Sequence, residues 1–295
     1  MEPASLRGTY PALVTPLTEA RELHVDDVHT LVRTALSDGA VGVLVAGTTG
    51  EGALLEPHQR VALTREAVAA ADGGGIVLAG ASGPTPAAVT ADVLALAEAG
   101  ADAVLVLAPH TYPLSPDELA DLHLAVAEAV EVPTLAYHIP QLTGSALTPD
   151  ALTRMVAHPG VVGIKDSSPD AERRAAFVTA LRGHDAALLT GHAPTAARAL
   201  DDGADGAILA VGNLRQHTAT ALLDAHRAEE LDAVATHQRS LATLAEALTE
   251  VDASMPATLK AALQLQGTLT ERWCRPPLRS VDGRRLDRVR TALLR

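Results

Sequence analysis

The chain has 295 residues, 47% of them apolar and 20% charged, so it is a globular chain long enough for one large α/β domain or two smaller ones, and not a disordered one. A formal charge of −13 argues against a nucleic-acid partner, because a phosphate-binding face needs a basic excess. One cysteine, Cys274, fits a reducing, cytoplasmic setting; with no basic-then-apolar leader, no run of about 18 apolar residues and no Cys/His or H-E-x-x-H cluster, neither secretion, a membrane, a metal nor a cofactor is expected.

Short apolar runs alternate with amphipathic stretches along the whole chain. YPALVTP (10–16) precedes a helical pattern over 25–39 that starts among Asp residues and stops on Gly39. VGVLVAG (41–47) precedes a second over 55–73, and IVLAGAS (76–82) a third over 85–101, opened by Thr85-Pro86. AVLVLAP (103–109) leads to 115–130, opened by Ser115-Pro116, and PTLAYHIP (133–140) to 148–160, opened by Thr148-Pro149. GVVGIKD (160–166), AALLTG (186–191) and GAILAVGN (206–213) complete the series, with helical patterns over 170–183 and 193–204 between them. The runs are continuous rather than alternating and rich in Val, Ile and Leu, the pattern of strands buried on both faces. Their spacing of about 25–35 residues is that of a βα unit. Eight such units predict an α/β fold, a (β/α)8 TIM barrel over 1–215, and the helical patterns that follow predict a C-terminal helical subdomain over 216–295. An open doubly wound sheet is the alternative, but VTPLTEAREL after the first run is no Gly-rich phosphate loop.

Barrel chemistry sits at the C-terminal ends of the strands. Those ends carry GTTGE (47–51), APHTY (108–112), AYHIP (136–140), GIKDSS (163–168), LTGHAP (189–194) and AVGN (210–213). Lys165 and Tyr137 therefore project to one end from adjacent strands. The chain has 23 Lys+Arg, yet Lys165 and Lys260 are its only lysines, and it has only three tyrosines. Desolvation among Val, Ile and Gly neighbours disfavours an ammonium, and a neutral amine can attack a ketone to form an imine, with Tyr137 moving the protons. The plainer reading has Lys165 pair with Asp166 or cap the strand end and leaves Tyr137 to packing. Lys260, within a helical pattern, is expected as a surface or packing residue. GTTGE places Gly47, Thr48 and Thr49 between a strand and a helix, where hydroxyls and N–H groups can receive a carboxylate or simply cap a turn.

In combination, Thr15-Pro16, GTTGE, YHIPQLTG (137–144), GIKDSS and CRPPL (274–278) resemble the dihydrodipicolinate synthase/N-acetylneuraminate lyase family over almost the whole chain. The resemblance implies a barrel with C-terminal helices, assembled as a homotetramer or homodimer, that binds pyruvate or another 2-keto acid as an imine and joins it to, or releases it from, an aldehyde. It implies Lys165 as the imine lysine, Tyr137 as the proton-transfer residue, and Thr48 and Thr49 at the keto-acid carboxylate. Gly47, Ser167, Gly191 and His192 complete the substrate-binding candidates. The synthase branch places an arginine where this chain has Leu142, and a leucine cannot grip a second carboxylate. The sialic-acid branch places an acidic pair and a serine where Ala193, Pro194 and Ala210 stand here, so an aldehyde of low polarity is expected. The family's relay tyrosine after strand four falls at Thr111, which leaves Tyr112, His110 or water for that part. Dehydration of a 2-keto-3-deoxy acid, a synthase-type condensation and a keto-acid-binding barrel without turnover remain as alternatives.

Overall fold

The structure, a computed structural model, describes residues 6–294. Each apolar run contains a strand: β1 Thr9–Pro11, β2 Gly42–Val45, β3 Ile76–Ser82, β4 Ala103–Leu107, β5 Thr134–His138, β6 Val161–Asp166, β7 Ala187–Thr190 and β8 Gly206–Leu209. All pairs are parallel, in the order β1-β8-β7-β6-β5-β4-β3-β2. The two ends of that series meet. Ala12 bridges Leu44, Leu13 N donates to Leu44 O at 2.8 Å and Val41 N to Thr9 O at 3.1 Å. The sheet is thus a barrel and not the open alternative. The runs outlast their strands because the first loop residues at this end, such as Leu13, Val14 and Ala46, are themselves buried.

Between the strands run α1 Val25–Ser37, α2 Pro57–Ala71, α3 Pro86–Glu98, α4 Pro116–Ala129, α5 Pro140–Thr143, α6 Pro149–Val156, α7 Ala171–Ala180 and α8 Ala196–Asp201, and α9 Gly212–Arg227 follows β8. The Ser/Thr-Pro openings act as expected. Thr85, Ser115 and Thr148 accept from the N–H three residues on, each with Pro at the first helical position, and each cap is worth about 1 kcal/mol. The barrel interior packs Tyr10, Leu44, Leu78, Leu105, Leu135, Leu189 and Ile208, while Val43, Val45, Val77, Val104, Ala136 and Ile164 face the helices. Both faces of the strands are mostly apolar, which is why no alternation marks the sequence.

α9 is interrupted at Arg215, where the backbone leaves helical geometry. Beyond the break, Gln216 Nε2 donates to Thr9 Oγ1 at 2.9 Å, tying the helix to β1. α10 Leu231–Thr249, α11 Met255–Leu265 and α12 Gly283–Leu293 follow. Gln238 of α10 holds the turn after β7 through the carbonyls of Ala193 and Pro194 and the N–H of Ala197. The start of α11 brings Ser254 and Pro256 against the turn after β2.

Candidate active site

β5 and β6 set Tyr137 and Lys165 side by side in register, and both point into the barrel. Lys165 is 4% exposed and Tyr137 7%. The lysine Nζ lies 4.3 Å from the centroid of the tyrosine ring. Burial pushes the Tyr137 phenol up, but the Lys165 charge and side-chain hydrogen bonds with Thr48, Ser167 and Lys165 outweigh it, so its pKa falls below the usual phenol value.

Gly191, at the end of β7, has a packing reason to be glycine. A Cβ there would lie 2.0 Å from Ser167 Oγ and 2.9 Å from Lys165 Cε. His192 beside it is half-buried, with Nδ1 2.9 Å from Thr195 Oγ1; desolvation, with the nearby Arg174 charge, lowers its pKa despite Asp166. The alternate residues of the same two strands face outward. His138 Nδ1 lies 2.8 Å from Asp166 Oδ1, Ser168 contacts both oxygens of Asp166 at 3.0 and 3.1 Å, and Phe177 of α7 meets the imidazole edge-on. Asp166 is thereby occupied by His138 and Ser168 on the outer face, so it is not the partner of Lys165.

The GTTGE turn is bounded by two left-handed non-glycine residues, Ala46 (φ 52°) and Glu51 (φ 58°). Such conformations cost of order 1–3 kcal/mol each and persist where the surroundings enforce them. Thr15 Oγ1 donates to Gly50 O at 2.5 Å, and Gly52 abuts Ala46 so closely that a Cβ would lie 1.7 Å from Ala46 O. Arg60 closes the far side, donating to Gly52 O and Leu55 O while paired with Asp92 at 2.7 Å. Thr48 is left exposed to the cavity and Thr49 half-buried.

A cavity of about 410 Å³ opens beside Tyr137 and Thr48. Leu54, Leu107, Leu142, Pro256 and Leu278 give it apolar walls; its polar groups include Ser82, His110 and Ser254. Leu142 lies there as expected, 58% exposed at the rim. Ala193, Pro194, Ala210 and His192 do not line this cavity, so its apolar character comes from other residues than the ones the sequence pointed to. The strand-four candidates separate as well. His110 lines the cavity, whereas Tyr112 (75% exposed) and Thr111 line a surface groove with Pro84, Pro86 and Leu114.

Lys260 is not a surface residue. It is fully buried on α11, ion-paired with Glu51 and donating to Trp273 O at 2.7 Å. Its scarcity as one of two lysines was the signal that marked it.

A closed (β/α)8 barrel holding a buried lysine on β6 under the ring of a β5 tyrosine has the architecture of a class I aldolase. The chain belongs to the Dihydrodipicolinate synthetase family, which it matches over residues 5–295. It is 35% identical over 231 residues, 78% of this chain and 76% of the relative, to a 4-hydroxy-tetrahydrodipicolinate synthase of Xanthomonas axonopodis pv. citri (strain 306). Its fold superposes with a TM-score of 0.92 and 26% identity on a prophage protein of the dihydrodipicolinic acid synthase family from E. coli K12 in complex with pyruvate, covering 98% of this chain and 97% of the other. The same score, at 27% identity and 98% of both chains, relates it to the chloride-inhibited dihydrodipicolinate synthase of Acinetobacter baumannii complexed with pyruvate.

Proposed function

We propose that the chain is a pyruvate-dependent class I aldolase that joins C3 of pyruvate, or of a related 2-keto acid, to an aldehyde of low polarity, or runs the cleavage. The observation that carries the reading is the buried Lys165–Tyr137 pair, with Thr48 of the carboxylate turn lining the same cavity as Tyr137. The free amine of Lys165 attacks C2 of the keto acid; water leaves and an imine forms. The protonated imine withdraws electrons, C3 loses a proton to give the enamine, and the enamine carbon attacks the aldehyde carbonyl. Hydrolysis then restores the lysine. Tyr137, with its phenol made more acidic, gives and takes the protons of these steps. Gly47, Thr48 and Thr49 receive the carboxylate, and Ser167, Gly191 and His192 border the reacting carbon. Of the relay candidates Thr111, Tyr112 and His110, the reading favours His110, because it alone shares the cavity with Tyr137.

The leucines and prolines of the cavity support an acceptor of low polarity, since a buried polar group left unpaired costs about 1–3 kcal/mol. A barrel of residues 1–215 followed by a helical subdomain of 216–295 belongs to the same reading, although α9 continues past Arg215 against β1 through Gln216. A cytoplasmic homotetramer or homodimer belongs to the same reading; no helix among the described residues is long and apolar enough to cross a membrane. The test is borohydride reduction with pyruvate followed by peptide mass spectrometry. The expected result is a reduced three-carbon adduct on Lys165, absent from Lys165→Arg, whose guanidinium stays protonated. An adduct confined to Lys260, or none, refutes the reading.

A further inference from the structure

Lys260 takes no part in the imine chemistry, yet it reaches the carboxylate turn more directly than any other residue of the C-terminal helices. Its ammonium is fully buried and ion-paired with Glu51, the last residue of GTTGE. It also donates to Trp273 O at 2.7 Å. The second Glu51 oxygen accepts from Arg275 N at 2.6 Å. One buried carboxylate is thus held from the C-terminal side by an ion pair on one oxygen and a backbone donor on the other. The guanidinium of Arg275 continues to Leu54 O at 3.2 Å, just past the turn.

The turn needs such a hold. Its two ends, Ala46 and Glu51, sit in the left-handed region, and within it Glu51 N donates to Thr48 O at 3.1 Å and Gly52 N to Gly47 O at 3.0 Å. A shift at Glu51 therefore passes straight to the residues that carry Thr48 and Thr49. Removing one partner of a buried ion pair leaves the other charge uncompensated.

We propose that Lys260 is a positioning residue for substrate binding: through Glu51 its ammonium fixes the 47–51 turn in the shape that receives the keto-acid carboxylate. This rests on the reading that the turn binds that carboxylate. The site then depends on α11 and on the 273–275 segment as much as on the barrel strands.

The test uses Glu51→Gln, Lys260→Met and the double variant in the full-length protein. Glu51→Gln keeps the size of the side chain and an acceptor for Arg275 N; the double variant removes both charges and so remains informative where Lys260→Met alone fails to fold. Melting temperature, the pyruvate concentration giving half-maximal borohydride trapping at Lys165, and KM for pyruvate against KM for the aldehyde are measured for each. The expected result is a tenfold or greater rise in half-saturating pyruvate for Glu51→Gln and for the double variant. Maximal trapping and the aldehyde KM stay within twofold, and the double variant melts close to the parent. Recovery of stability together with parental pyruvate half-saturation in the double variant overturns the proposal and leaves the pair a packing device. Absence of trapping in the parent overturns the functional reading, and the positioning role with it; trapping in the parent with unchanged half-saturation in the variants overturns the positioning role alone.

Discussion

Leu142→Arg puts the account of acceptor choice at risk. Leu142 lies in α5 at the rim of the cavity that Thr143, Leu54 and Leu278 also line, and it is 58% exposed, so the longer side chain has room without disturbing the core. A guanidinium there supplies what the cavity walls lack, a bidentate partner for an acceptor that carries a carboxylate. At about 4 Å and an effective dielectric near 20 the gross attraction is about 4 kcal/mol. Solvent at a half-open rim and the ordering of a long side chain remove most of it, since fully exposed pairs retain only about 0.2–1 kcal/mol. A net gain of about 1–2 kcal/mol remains, equivalent to a rise of roughly 5- to 30-fold in kcat/KM for aspartate semialdehyde. An aromatic aldehyde moves the other way, because the leucine methyls that would cover it are gone, at about 0.8 kcal/mol for each buried methylene equivalent. The assay is steady-state kcat/KM for both acceptors with saturating pyruvate, in parent and variant. A change of less than twofold in the ratio of the two acceptors refutes the reasoning. So does a parent enzyme that already prefers aspartate semialdehyde tenfold, because its carboxylate would then be held by groups other than residue 142.

Tyr137→Phe keeps the ring over Lys165 and removes the acidified hydroxyl, so pyruvate should still be trapped at Lys165 while turnover falls roughly 10²–10⁴-fold; turnover within tenfold of the parent places the proton carrier elsewhere. His110→Ala should slow turnover and alter its pH profile, whereas Tyr112→Phe should leave both unchanged, because only His110 shares the cavity with Tyr137; the opposite order assigns the relay to the surface groove. His123, buried in α4, has its pKa lowered by desolvation from 6.5 to about 4, so between those values the unfolded chain binds a proton that the folded chain refuses. Stability is unaffected by this group above pH 6.5 and falls as pH drops toward 4, by up to about 3 kcal/mol at 1.36 kcal/mol per pH unit. Urea titrations across that range should show a shallower fall in His123→Gln than in the parent, and parallel curves exclude the buried neutral imidazole.

The barrel was legible because each strand is buried on two faces. A run such as AVLVLAP has no polar residue on either side, so it declares itself without periodicity, and the Thr-Pro and Ser-Pro openings mark where the helices begin. The pairing of Tyr137 with Lys165 followed from strand order alone, since consecutive parallel strands end at the same face. The cavity walls were not legible. Leu54, Leu107 and Leu278 come from a turn, a strand end and the segment after α11, and nothing in a leucine distinguishes a cavity wall from a core position until the elements are placed. The substituted positions Ala193, Pro194 and Ala210 drew attention to the β7 and β8 ends, where Gln238 and Asn213 hold the backbone, while the open space lies toward β3, β4 and α11.

The two lysines answer one physical question in two ways. Arginine supplies every other basic side chain of the Lys+Arg set, including the buried pair of Arg174 with Asp202 and that of Arg60 with Asp92, where the planar fork reaches a carboxylate and the Gly52 and Leu55 carbonyls together. Neither lysine position could use that fork. At Lys165 the group must lose its proton and act as a nucleophile, which a guanidinium does not do. At Lys260 the group must be small enough to lie fully buried between the Glu51 carboxylate and the Trp273 carbonyl, a place for a compact three-donor ammonium. Rarity of a residue type is informative when a chain has already chosen its alternative elsewhere: each exception then marks a position where the chemistry of the alternative fails. On that ground Lys260→Arg, the mildest change by charge, should disturb pyruvate binding as clearly as Lys260→Met, since the charge is retained and the fit is lost. A Lys260→Arg enzyme with parental half-saturation for pyruvate would show that charge alone sets the turn.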